Sequence, residues 1–168
     1  KEHGAVGLEI FAYGKSKESN PALRFPARQH RSASEAIAKN HMLDPNRTLF
    51  VQQRPEAIDA GVFHNDVICV TNEQVLLIHE LAWENQEAVL AELPDHAEAD
   101  LCILQIADAD VSLQDAVATY LFNSQLVTLP GGHMALIAPE ECEHHVGVRH
   151  ALETIVNADN PITDIHHM

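Results

Sequence analysis

The chain has 168 residues, 46% of them hydrophobic, and its 10 Lys and Arg against 25 Asp and Glu give a formal charge of −15. This composition is typical of one globular domain and excludes a disordered chain. The acidic balance argues against nucleic acid and anionic membranes as partners, because both require a basic surface. No apolar run approaches the roughly 18 residues of a membrane-spanning helix, and no signal-peptide pattern is visible. We therefore expect a soluble cytoplasmic protein.

Predicted strands and helices alternate along the first part of the chain. A strand is predicted over residues 7–14, a polar loop with two prolines over 15–31, a helix over 32–43, a strand over 48–53 and a short helical turn around 55–60. Ser32 is the expected N-cap of the helix over 32–43. Glu35 would complete a capping box with it, since it follows three residues later.

The later elements form two similar series. The first is predicted as a hairpin of strands over 66–71 and 74–80 with Asn72 and Glu73 between them, a helix over 81–93 that stops at Pro94, and a strand over 99–108. A helix capped by Ser112, with Asp115 at its third position, separates the series. The second has strands over 125–130 and 133–139, a helix over 140–157 and a last strand beginning in the segment from residue 161. The order strand–strand–helix–strand thus occurs twice, which indicates a modular α/β fold of repeated ββαβ units.

A polar trio, His64, Asn65 and Asp66, stands just before the first apolar strand of the hairpin. If these residues are extended, His64 and Asp66 point to the same side and Asn65 to the other. The carboxylate could then orient the imidazole, or both could face one substrate, with His64 transferring protons and Asp66 binding a cation. The alternative interpretation is a polar turn at the start of a strand.

Other polar residues support fewer inferences. Arg28, in the loop over 15–31, is either a surface residue or a bidentate partner for a substrate carboxylate. Cys69, Cys102 and Cys142 occur in no CxxC pattern, so we interpret them as reduced, buried thiols. The chain contains twelve histidines but no HExxH pattern, and we predict no metal site.

Three long stretches of the sequence carry a family resemblance: RFPARQHRSASEAIAKNHMLDP, FVQQRPEAIDAGVFHNDVICVTNEQVLLIHE and YLFNSQLVTLPGGHMALIAPEEC. In this order, and over nearly the whole chain, they resemble the N-succinylarginine dihydrolase family of guanidino-group-modifying enzymes. The resemblance implies the pentein fold, a pseudo-fivefold α/β propeller of ββαβ units. The chain would be a partial propeller within one catalytic domain, with units over approximately 1–60, 61–124 and 125–168.

The resemblance also implies a reaction, the hydrolysis of N2-succinylarginine to N2-succinylornithine, ammonia and carbon dioxide in arginine catabolism, without metal or organic cofactor. Such enzymes use a Cys nucleophile, a His acid/base and an acidic residue. By the resemblance His64 is the catalytic His, and Arg28 and Asp66 bind the small-molecule substrate. The family's acidic residue precedes the strand over 7–14, and its Cys follows the last strand in a Gly-rich segment. We therefore expect an internal piece of the enzyme that is inactive alone, and for the enzyme a homodimer.

Three alternatives stay open at this point. A deiminase of the same superfamily would act on another guanidine and release citrulline-type products. A non-catalytic module would keep Arg28 and Asp66 to bind a guanidino acid. A metal-binding protein would use its many histidines and would contain stoichiometric zinc.

Overall fold

A computed structural model describes residues 6–18, 23–97 and 100–168 of the chain. The described backbone divides into two compact units, with the chain passing from one unit to the other after residues 65, 80 and 100. Strands and helices alternate within the described ranges, and the strands form separate sheets of two, three and three strands. The predicted α/β class is therefore confirmed. Within the same ranges, no helix combines the length and apolar character needed to cross a bilayer.

The first unit is built on a parallel pair of strands. Its elements in chain order are β1 (Glu9–Tyr13), α1 (Arg31–Asn40), β2 (Thr48–Gln52), α2 (Pro55–Ala60) and α3 (Gln86–His96). β1 and β2 pair in parallel, and α1 lies in the crossover that such a connection requires. Phe11 and Phe50 stack across the pair with their ring centroids 5.5 Å apart. The predicted strands over 7–14 and 48–53 and the helical turn around 55–60 are confirmed.

The cap of α1 differs from the prediction. His30 is the N-cap, and its Nδ1 accepts hydrogen bonds from the Ser32 backbone N–H at 3.2 Å and the Ser32 hydroxyl at 2.9 Å. Glu35 forms an ion pair with Arg31 at 3.0 Å instead of completing a capping box. An imidazole nitrogen can replace the usual oxygen because it also presents a lone pair to the first turn. Ser32 as the N-cap was therefore wrong.

The second unit contains two three-stranded sheets. Its elements are β3 (Cys69–Asn72), β4 (Val75–His79), β5 (Cys102–Ile106), α4 (Leu113–Ala118), β6 (Gln125–Thr128), β7 (Met134–Ala138), α5 (Glu140–His144), α6 (Val146–Val156) and β8 (Ile162–His167). In each sheet the middle strand, β4 or β7, pairs antiparallel with the strand before it and parallel with the strand after it. All five residues of β4 are buried, as expected for a middle strand of a covered sheet.

The turns of the two hairpins agree with the prediction to within one residue. The first turn lies at Glu73, which has a φ of 47°, and Gln74. The second contains Gly131 and Gly132 with φ values of 110° and 90°, a region that glycine enters without steric cost. The predicted strand over 99–108 corresponds to β5, and its first residue lies outside the described residues.

Two predicted helices have different bounds. The helix predicted over 81–93 begins at Gln86, because residues 82–84 instead pair with residues 52–54 at the end of β2. The Arg54 N–H, for example, donates to the Ala82 carbonyl at 3.0 Å. Pro94 lies inside α3 rather than ending it, since a proline in the last turn removes only one terminal hydrogen bond. The helix predicted over 140–157 is two helices, α5 and α6, and His145 caps the second by accepting from Val148 N–H at 3.3 Å.

Candidate functional site

The segment that holds His64 is a turn and not a strand. Residues Asn65–Val67 form a 3-10 helix, and β3 begins only at Cys69. The extended conformation that would turn the His64 and Asp66 side chains to one side is therefore not adopted, because the backbone rotates by about 120° per residue in a 3-10 helix. The alternative interpretation of these residues, a polar turn before a strand, describes the backbone correctly.

His64 is surrounded by groups from the loop before α1. The Gln29 side-chain amide nitrogen lies 2.6 Å from its Nδ1, and the Arg28 Nη1 lies 3.4 Å from its Nε2. The ring of Phe63 meets the imidazole edge-on with centroids 5.2 Å apart, and the Arg28 guanidinium lies 5.1 Å from the centroid of the same ring. The structure thus brings together two of the three predicted site residues, His64 and Arg28, and adds Gln29 and Phe63.

The loop carrying Arg28 is attached to the end of β1 through its backbone. The Gly14 N–H donates to the carbonyls of Arg28 at 2.9 Å and Gln29 at 3.0 Å. A Cβ on Gly14 would lie 2.7 Å from the Arg28 carbonyl oxygen, so only glycine permits this approach. Next to it, the Arg31 N–H donates to the Lys15 carbonyl at 2.9 Å. Arg28 and Gln29 therefore project from a fixed backbone.

The chain on either side of His64 is held by two buried side chains. Gln53, directly after β2, donates from its amide to the Val62 carbonyl at 3.5 Å. The indole N–H of Trp83 donates to the Asn65 Oδ1 at 2.7 Å, and Trp83 is 1% exposed. His64 thus lies between two anchored positions, and Asn65 is part of the scaffold.

The surface formed by Arg28, Gln29, Phe63 and His64, called here the His64 cluster, is accessible to a ligand. Arg28 and Gln29 are exposed, His64 is half-buried, and Phe63 is 45% exposed. An arginine can bind a carboxylate through two parallel hydrogen bonds. An imidazole next to it can act as a general acid or base. The His64 cluster therefore combines an anion-binding group, a proton-transfer group and an apolar ring.

Asp66, the third predicted site residue, is the first residue of the second unit. It lies in the middle of the 3-10 helix, and its side chain is exposed. Its carboxylate is thus free to meet solvent or a cationic ligand group. Its predicted role in substrate binding stays a prediction.

The cysteines of the chain lack the features of a nucleophile. All three are reduced thiols, with Cys69 and Cys142 buried and Cys102 half-buried. Burial raises the pKa of the Cys142 thiol to about 11, although a hydrogen bond with the Thr119 side chain acts in the opposite direction. Burial likewise raises the pKa of Cys102. With a pKa near 11, only about one thiol in ten thousand is ionised at pH 7, and the thiolate is the reactive form.

Possible metal ligands are dispersed in the part of the chain that the structure describes. There, no three side chains of the His, Cys, Asp or Glu type are arranged to hold a metal ion. Several histidines have structural positions instead. His30 and His145 cap helices, and the fully buried His79 bonds the Val111 carbonyl through Nε2 at 2.8 Å.

Sequence reasoning missed four residues of the site region: Gly14, Gln29, Phe63 and Trp83. Gln29 and Phe63 are sequence neighbours of Arg28 and His64, so proximity to a predicted residue was the signal available. Gly14 ends a predicted strand before a polar loop, a position where glycine often permits a close backbone approach. Trp83 offered no signal, because its partner Asn65 is 18 residues away.

Comparisons with known proteins agree along the whole chain. A family model described as succinylarginine dihydrolase matches residues 1–168. Two curated relatives called N-succinylarginine dihydrolase, from Legionella pneumophila strains Paris and Corby, are each 46% identical to the chain over 175 residues. These alignments cover 100% of this chain and 39% of each relative, so the chain spans well under half the length of the relatives it matches.

Proposed function

The chain belongs to the succinylarginine dihydrolase family, and from this we propose that the longer protein hydrolyses N2-succinylarginine to N2-succinylornithine, ammonia and carbon dioxide. One guanidino group and two waters yield one amine, one carbon dioxide and two ammonia molecules, so the reaction needs no oxidant or reductant. The observation that carries the proposal within this chain is the His64 cluster, in which an imidazole and a guanidinium lie together on an accessible surface.

The proposed roles follow from the chemistry of each side chain. His64 is the acid/base that protonates departing ammonia and deprotonates attacking water. Arg28 binds a carboxylate of the substrate, which carries carboxylates on its succinyl and amino-acid parts. Asp66 binds the positively charged guanidinium, for which a carboxylate is the natural partner.

The reaction also needs a nucleophile that attacks the guanidinium carbon. We propose that a cysteine elsewhere in the longer protein supplies it. Cys142 is buried and has a pKa raised to about 11, and the pKa of Cys102 is raised as well. Cys69 is buried on β3. A reactive cysteine has the opposite features, namely exposure and a lowered pKa.

The architecture that we propose is a pentein propeller, with units over approximately 1–60, 61–124 and 125–168 of one catalytic domain. Its support is the shared topology of the sheets β3–β4–β5 and β6–β7–β8, in which an antiparallel hairpin is followed by a parallel strand. A homodimer and a cytoplasmic location stay predictions from the resemblance and the composition.

The test is turnover of N2-succinylarginine by the full-length protein, measured as release of ammonia and formation of succinylornithine. His64→Ala should lower kcat by about 10²- to 10⁴-fold, the usual contribution of a general acid/base. Arg28→Ala should mainly raise KM. His150→Ala, at an exposed position of α6, is the matched control and should leave both unchanged. Unchanged turnover in His64→Ala would refute the proposal, and a citrulline-type product would indicate a deiminase instead.

A further inference from the structure

The two ring nitrogens of His64 face groups with different hydrogen-bonding capacity. Nε2 faces the Arg28 Nη1 at 3.4 Å, and Nδ1 faces the nitrogen position of the Gln29 amide at 2.6 Å. A guanidinium is only a donor, whereas an amide offers both a donor and an acceptor. Arg28 therefore decides the proton position: a neutral His64 presents the Nε2 lone pair to the guanidinium only if its proton is on Nδ1.

The state of Nδ1 then fixes the orientation of the Gln29 amide. An Nδ1–H group needs an acceptor, so the amide oxygen must face it. A half-turn about the last torsion of Gln29 exchanges the amide oxygen and nitrogen in nearly the same positions, and the hydrogen-bond network selects between the two orientations. The structure places the amide nitrogen of Gln29 toward Nδ1. In that orientation an amide N–H points at Nδ1 and the Nε2 proton points at Arg28, so that two donors oppose each other. We therefore assign the half-turned orientation, in which the Gln29 oxygen faces Nδ1.

We propose that Gln29 is a positioning residue that accepts a hydrogen bond from the Nδ1–H of His64 and thereby keeps the Nε2 lone pair available for proton transfer. This inference rests on the proposed function only in giving His64 its acid/base role. The same hydrogen bond fits both states that a general acid/base visits. In the neutral form and in the imidazolium Nδ1 carries a proton, and only the proton on Nε2 is gained or lost.

The backbone supports a positioning role for Gln29. Its φ is 43°, in the left-handed region that residues other than glycine rarely enter. The strained conformation is held by the hydrogen bond from the Gly14 N–H to the Gln29 carbonyl at 3.0 Å. Strain of this kind is maintained by surrounding structure and is concentrated at functional sites. Here it directs an exposed amide at one nitrogen of His64.

The arrangement also gives Arg28 two states. Without substrate, its guanidinium faces the Nε2 lone pair. A substrate carboxylate binds the guanidinium more strongly than a neutral imidazole does, because the hydrogen bonds are charge-assisted and paired. Binding of the substrate would thus free Nε2 to accept a proton, while Gln29 keeps the ring in place.

The experiment is NMR of the full-length protein labelled with ¹⁵N at histidine, with His64→Gln used to assign the His64 signals. We expect Nδ1 to be protonated and Nε2 to be unprotonated in neutral His64. Gln29→Leu removes the acceptor, so the ring proton should move toward Nε2. We expect kcat to fall by about 10- to 100-fold, by analogy with the groups that orient metal-binding histidines through their second nitrogen. Gln29→Glu keeps an acceptor and should retain the Nδ1 proton. The exposed Gln114→Leu in α4 is the matched control and should change neither measurement.

Each outcome of this experiment either supports or contradicts the positioning role of Gln29. A wild-type spectrum with the proton on Nε2 overturns it, and so does a Gln29→Leu spectrum identical to that of the wild type. A loss of turnover in Gln29→Leu without a change in ring protonation would also contradict it, because a merely structural role would produce that result. The ring measurement needs no substrate, so a full-length protein that does not hydrolyse succinylarginine would refute the proposed function and leave this test intact.

Discussion

The His64 cluster and the sheet β6–β7–β8 represent two ways of holding side chains in place. The sheet buries Met134, Ala135, Leu136 and Ala138 of its middle strand, and many packing contacts fix each residue. In the His64 cluster, Arg28 and Gln29 are exposed, and individual hydrogen bonds fix them. The sheet therefore resists unfolding, whereas the His64 cluster depends on the few groups that anchor its two loops.

The residues that determine the stability of the chain are therefore different from the residues that position its candidate chemical groups. A buried apolar side chain contributes through the area it removes from water, and it is replaceable by another of similar shape. A group that positions an imidazole contributes to proton transfer through its geometry, and its loss changes the free energy of unfolding only a little. The following substitutions, made in the full-length protein, test this separation.

The largest expected effect on stability is that of Leu136→Ala in β7. Leu136 is fully buried, and a Leu→Ala change in a core costs about 2–5 kcal/mol of unfolding free energy. Urea denaturation followed by circular dichroism measures the change. Val127→Ala in β6 is the control, since Val127 is 38% exposed and should lose much less. Equal losses in both variants would show that this sheet does not behave as a core.

The next effect in size is that of Gly14→Ala, which should affect both the stability of the protein and the geometry of the His64 cluster. The new Cβ would lie 2.7 Å from the Arg28 carbonyl oxygen and 3.1 Å from the Ala27 Cβ, so the backbone must move. We expect a loss of about 1–3 kcal/mol in stability, together with a displaced Arg28 and a higher KM for succinylarginine. Gly147→Ala meets its nearest atom at 3.3 Å and should be milder. An unchanged KM in Gly14→Ala would contradict the proposed attachment of the Arg28 loop.

The sequence predicted elements best where local chemistry determines them. The hairpin β6–β7 follows from two apolar runs around Gly131 and Gly132, and the cap of α4 follows from Ser112. Boundaries that depend on distant contacts were missed. α3 starts late because residues 82–84 pair with the end of β2, and no periodicity within 81–93 records that pairing.

The same distinction applies to the candidate site. His64 and Arg28 were candidates from their residue types and positions, and the family resemblance gave them roles. The structure places them together although 36 residues separate them. The geometric argument for His64 and Asp66 was wrong, because it assumed an extended backbone where a 3-10 helix forms. The His64–Gln29 contact could not be predicted from spacing. It depends on how Gly14 holds a loop that lies far from His64 in the sequence.

A smaller effect on stability should distinguish Ser112, which caps α4 as predicted, from Ser32, which does not cap α1. Ser112 accepts from the Asp115 N–H at 3.1 Å and donates to its carboxylate at 2.7 Å. Ser112→Ala should therefore cost about 1 kcal/mol, whereas exposed Ser32→Ala should stay within about 0.5 kcal/mol because His30 caps α1. Thermal unfolding of the two variants measures the difference. A larger loss in Ser32→Ala would restore Ser32 as the cap.

Cys142→Ala should have the smallest effect on stability at neutral pH, and a difference from the wild type should be visible only in alkaline solution. Burial raises the pKa of this thiol from its usual 9.0 to about 11 in the folded protein. The folded state thus favours the neutral thiol, and its contribution to stability is complete below pH 9. The contribution is lost as the pH rises from 9 through 11, because the unfolded chain releases its proton first.

Denaturation midpoints measured across this range should fall less steeply for Cys142→Ala than for the wild type. Cys102→Ala should change the slope less, because Cys102 is only half-buried. Identical slopes for the wild type and Cys142→Ala would show that this thiol ionises as easily in the folded protein as in the unfolded chain, and would reopen the question of whether it is a nucleophile.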